Sequence, residues 1–240
     1  MKIRERMELF FSKEKSDAIP YTIYNYEADR LLDNPVMQKM LSNGLGVTYF
    51  VPSTWDDCPV VEYKEDYYTE NNNNIRRVTM HTDKGDLYCT YENGWNKKFY
   101  LETKEDYQLM TYIIKNTQPM QNYKYFNDFA KNLPEYAITL VAMGRSPMQV
   151  INVDFVGLEN FAYHLYDFED ELLELYDALY QKYKITAELI AEGPGRYVSV
   201  LDNFTAETIG PDRYKSFLVP VYEDVFKQIK ESGKVIGTHY

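Results

Sequence analysis

Apolar residues change their spacing several times along the chain, and each change marks an element. Ile3, Met7, Phe10 and Phe11 recur at helical spacing with charges between them, which predicts an amphipathic opening helix over 2–12. Residues 19–24 (IPYTIY) are β-branched and aromatic and predict a strand over 20–24, with Pro20 at its start. Asn34-Pro35 opens a helix over 34–42 that stops at Asn43-Gly44. A second strand follows over 46–51 and is halted by Pro52. Residues 137–142 (AITLVA) form a short, continuously apolar run, the pattern of a strand covered on both faces. Residues 197–201 (YVSVL) predict the next buried strand and 234–238 (KVIGT) a last one.

Residues 60–102 break this rhythm and predict an insertion. An acidic stretch over 63–74 ends in four consecutive asparagines and reads as loop, since asparagine favours turns. Alternating segments at 76–82, 86–92 and 97–102, separated by Asp83-Lys84-Gly85-Asp86 and Asn93-Gly94, predict an antiparallel meander. Helices are expected at 104–115, 122–132, 147–153, 157–164 and 168–192, the last closing at Gly193-Pro194-Gly195. Gly210-Pro211-Asp212 opens another, which ends at Ser232-Gly233. Strands alternating with helices define an α/β chain with five parallel strands in one domain, 1–240, and one insertion, 60–102.

Composition narrows the partners. The 240 residues carry 26 Lys plus Arg against 37 Asp plus Glu, a net charge of -11. A nucleic acid would be repelled, so none is expected. No apolar run approaches the roughly 20 residues of a membrane span. The two cysteines, Cys58 and Cys89, are too few for a disulfide framework and suit a reducing cytoplasm.

Chemistry in parallel α/β folds sits beyond the carboxyl ends of the strands. Those ends carry Asn25 and Glu27, then Trp55, Asp56 and Asp57, then Arg145, then Asp202, Asn203 and Glu207, then His239. Taken singly, each is a common turn or capping residue. As a set on successive strand ends they predict one functional rim. His81 falls in the meander and His164 lies between aromatics on a helix, where packing is the expected role. His239 follows an apolar strand at the rim, where an imidazole suits metal binding or proton transfer. There is no P-loop and no G-x-G-x-x-G.

Three segments carry a resemblance. Arg4-Glu5-Arg6 through Ile19-Pro20, the strand-end Asp202-Asn203, and 203–239 (NFTAETIGPD through GKVIGTH) resemble the uroporphyrinogen decarboxylase superfamily, nearest its cobalamin-dependent, methylcobamide:coenzyme M type methyltransferases. The resemblance implies a (β/α)8 TIM-barrel with its pocket at the carboxyl rim. The five strands here would be the first part of such a barrel, continued in a longer protein or lost by truncation. Decarboxylases of the family hold polycarboxylates with arginines after the first strand. Here that segment is 24–29 (YNYEAD), with two acids, which disfavours porphyrinogens.

The family's methyltransferases bind zinc through a histidine at the end of the fifth strand and two later cysteines. His239 matches the histidine, and the other positions fall beyond Tyr240. The resemblance thus implies methyl transfer between a corrinoid, carried on a partner protein, and a zinc-activated thiol or related acceptor. Glu207 and Asp202 are the expected catalytic residues, and Asn25, Glu27, Trp55, Arg145 and Asn203 the expected substrate contacts. His239 is the expected metal ligand. The rivals are a carboxy-lyase of the same superfamily and a barrel that binds a small molecule without catalysis. Open strand edges predict self-association.

Overall fold

The computed structural model describes residues 1–205 and 207–239; Ala206, inside the last resembling segment, and Tyr240 lie outside the described residues. Among the described residues eleven strands form three sheets: β1 (Tyr21–Tyr24), β2 (Leu45–Val51), β3 (Thr54–Asp57), β4 (Glu62–Glu70), β5 (Asn73–Thr82), β6 (Gly85–Glu92), β7 (Trp95–Lys98), β8 (Gln118–Gln121), β9 (Ala137–Gly144), β10 (Tyr197–Leu201) and β11 (Val235–His239). The helices are α1 (Ile3–Phe11), α2 (Asn25–Leu31), α3 (Pro35–Ser42), α4 (Lys104–Lys115), α5 (Tyr123–Lys131), α6 (Pro147–Val150), α7 (Leu158–Asp167), α8 (Glu169–Glu192), α9 (Pro211–Arg213) and α10 (Val219–Glu231). α6 runs on into π-helical turns over Ile151–Val156, and α9 into another such segment over Tyr214–Leu218.

The principal sheet is five-stranded, wholly parallel and ordered β1-β2-β9-β10-β11, which is the order of the strands along the chain. It curls as half a barrel. In-register partners share a face, so Tyr24 and Thr48, Phe50 and Leu140, Tyr197 and Val235, and Leu201 and His239 line its concave side. The curl brings the Tyr24 and His239 rings, at the ends of the two edge strands, to 5.8 Å between centroids.

The amphipathic opening helix covers the amino-terminal end of that concavity. Met7 is fully buried there among Ile138, Leu140 and Tyr197, and Phe11 packs on Tyr197 at 5.1 Å. Gly46 makes this approach workable, since a Cβ there would fall 2.4 Å from the Met7 sulfur. Arg4, from the opening motif, donates from Nε to the Ala137 carbonyl at 2.9 Å and from Nη2 to those of Leu133 and Pro134. Arg6 forks onto Asp17 at 2.7 and 3.1 Å. The motif therefore anchors α1 to the start of β9.

The convex side carries the main core, with Val141, Val198 and Val200 under Leu172, Leu175, Leu179 and Ile190 of α8. Each such fully buried side chain contributes roughly 1.5–3 kcal/mol. Strands β4-β5-β6-β7 form a separate antiparallel sheet that adds Val78, Met80, Leu87 and Cys89 to the same core. The expected meander is present with one strand more: residues 62–70, expected as loop, form β4. Two further elements escaped the pattern, the short helix α2 and the ribbon β3-β8. Among the described residues no helix is long and apolar enough to cross a membrane.

Candidate functional site at the carboxyl ends of the strands

Asp202 follows β10 and organises this end of the sheet. It is fully buried, at 0% exposure. Its Oδ1 accepts the Ser146 N–H at 2.9 Å, fixing the turn between β9 and α6, and its Oδ2 accepts the Tyr222 hydroxyl of α10. Its own N–H donates to the His239 carbonyl at 3.0 Å. One residue thus ties together the ends of β9, β10 and β11. Burial pushes its carboxyl pKa up, and the two hydrogen bonds pull the other way. Gln149, also buried, accepts the Asn203 N–H at 2.9 Å and holds the chain after Asp202 in the same way.

Two hollows open beside this knot. The first is the concave side of the half-barrel, a cavity of about 280 Å³ between the two edge strands. His239 stands exposed at its mouth against Tyr24, with the Thr22, Thr48 and Ser199 hydroxyls and the Phe50 and Leu140 side chains inside. The second lies between the end of β9, β3 and α8 and measures about 410 Å³. Trp55 and Arg145 both line it. The Arg145 Nη1 reaches the two Asp154 oxygens at 3.2 and 3.4 Å, and Lys182 pairs with Asp56. Burial raises the Asp154 carboxyl pKa, against the opposing pull of Arg145. Asp154 and Phe155 reach this hollow from the π-helical turns after α6. Such turns recur at functional sites.

The expected rim residues therefore divide. Trp55 and Arg145 share one hollow, and His239 lies in the other. Asn25 sits at the start of α2, where its Oδ1 accepts the Phe50 N–H at 3.4 Å. Glu27 is on α2 and takes Arg30 in an ion pair at 2.7 Å. Glu207 is exposed in the turn before α9, and a hydrogen bond from Thr205 lowers its carboxyl pKa. Asn203 is also exposed. Asp154, Lys182 and Tyr183 were not among the expected residues. They lie mid-helix or in π-helical turns, where a strand-end search does not look.

Zinc needs three protein donors at a catalytic site. Among the described residues no group of three His, Cys, Asp or Glu side chains is placed to hold an ion. Cys58 is half-buried with its Sγ 3.7 Å from the Ile113 carbonyl, and Cys89 is in the core. The described residues alone do not supply the three donors of the zinc that the resemblance implies.

No protein-family model matches the chain, and no curated protein or solved structure is significantly similar to it.

Proposed function

We propose that the chain is a methyltransferase-like member of the uroporphyrinogen decarboxylase superfamily, which moves a methyl group from a corrinoid on a partner protein to a small thiol. The observation that supports this most is the position of His239. It ends the fifth parallel strand, where the resemblance puts a zinc-binding histidine, and it faces the concave cavity. An imidazole takes and releases protons near neutral pH. In this reading the thiol sulfur bonds to the methyl carbon, the corrinoid keeps the electron pair of the broken bond, and the thiol proton passes to the imidazole. The Thr22, Thr48 and Ser199 hydroxyls orient the acceptor, and Asp202 holds the end of β11 that carries the base. The carboxy-lyase reading is weaker, because Arg30, the first cation along the chain after β1, is already paired with Glu27.

The test is a transfer assay with methylcobalamin and 2-mercaptoethanesulfonate, following loss of the methyl–cobalt absorbance and formation of the thioether. Transfer above the uncatalysed rate is expected, reduced about 100-fold or more in His239→Ala, the scale of losing a general base. A rate equal to background, or equal in the variant, would refute the reading, as would release of carbon dioxide from a porphyrinogen.

A further inference from the structure

We propose that the hollow beside Arg145 is a binding site for a small organic carboxylate with a compact apolar body. The inference goes beyond methyl transfer, since it concerns equilibrium binding and needs no turnover. At about 410 Å³ the hollow falls within the roughly 300–1,000 Å³ of small-molecule sites. Its inner wall is apolar, built from Ile114, Met143 and Leu179, with Trp55 at the side. Trp55 is half exposed, and a planar apolar body can stack on its indole.

Arg145 supplies the polar end. It meets Asp154 through Nη1 alone, and among the described residues its Nε and Nη2 make no hydrogen bond. That leaves the edge of the guanidinium that carboxylates take in a two-point grip. Asp154 is a poor permanent partner: both contacts are long, and burial disfavours its charged form. An incoming carboxylate can therefore take over Arg145 as Asp154 swings away. Lys182 stands on the same wall, held in its ion pair with Asp56, so Arg145 is the cation that offers the free edge. Beneath it the Tyr183 ring, only 6% exposed, completes the wall, and the hydroxyl makes no hydrogen bond among the described residues.

The probe is 3-phenylpropanoate, titrated against the purified chain and followed by Trp55 fluorescence in a Trp95→Phe background and by calorimetry. 3-Phenylpropan-1-ol is the neutral control, and phenylalanine shows whether an added ammonium is tolerated. Saturable binding of the carboxylate is expected, at least tenfold tighter than the alcohol. Arg145→Gln should weaken it tenfold or more. Asp154→Asn should tighten it, because the competing carboxylate is removed; this variant keeps Arg145 and distinguishes specific binding from damage to the fold. Absence of saturable binding, equal affinity for acid and alcohol, or weaker binding in Asp154→Asn would overturn the proposal. Failure of methyl transfer would leave all these outcomes readable.

Discussion

His164 and His239 show how far a single residue's sequence context reaches. Flanking aromatics marked His164 as a packing residue, and it is buried with its Nδ1 3.1 Å from the Tyr107 hydroxyl and its ring 4.8 Å from that of Phe168. Burial lowers its pKa below the ordinary 6.5, with Asp167, Asp106 and Glu102 pulling the other way. The unfolded chain therefore binds a proton that the folded chain resists, so stability present above about pH 6.5 is lost as the pH falls below it. The melting temperature is expected to drop between pH 7 and pH 5, and the drop should shrink in His164→Gln. An undiminished pH dependence in the variant would assign it to other groups. Asp202 was legible as a residue at a strand end, but its complete burial was not. Its partners Ser146 and Tyr222 lie 56 and 20 residues away, and no local pattern announces such a tie.

At the scale of elements, apolar strands and their stops were the legible part. The five parallel strands stand within two residues of their expected limits because each is a short run rich in β-branched, aromatic or other apolar residues, bounded by Pro, Gly or polar turn residues. β4 was missed for a physical reason: most of its residues are exposed and highly polar, so no buried face imposes alternation on the sequence. Its pairing comes instead from the turn. Asn71 and Asn72 have φ of 49° and 64°, the left-handed pair that a tight two-residue hairpin needs. Replacing both with alanine should destabilise the hairpin by about 2 kcal/mol, since alanine pays roughly 1 kcal/mol or more at each such position. Denaturant titration checks this, and an unchanged midpoint would mean that the β4–β5 ladder holds without the turn. The helix α2 was missed because Asn25 and Glu27 looked like rim residues, although polar residues also open helices.

For the molecule as a whole, the parallel order was legible because strands that alternate with helices in one hand of winding fall side by side. The division of the rim into two hollows was not, because β3 and α8 decide it through long-range packing. The curled sheet keeps β1 and β11 as edges. Unpaired edges recruit other strands, so light scattering on the isolated 28.4 kDa chain should report species above the monomer mass. A strictly monomeric chain at high concentration would show that the curl and the edge side chains protect both strands.

Placement of the chemistry at the carboxyl ends of the parallel strands is tested most directly by the imidazole resonances in a proton–carbon NMR spectrum. The chain has three histidines, one in the meander, one in the core and one at the rim, and His81→Gln and His164→Gln assign them. Titration with 2-mercaptoethanesulfonate and methylcobalamin should move the His239 signal and leave those of His81 and His164 in place. A titration that leaves His239 unmoved, or that moves His81 or His164 instead, would contradict a site at the strand ends.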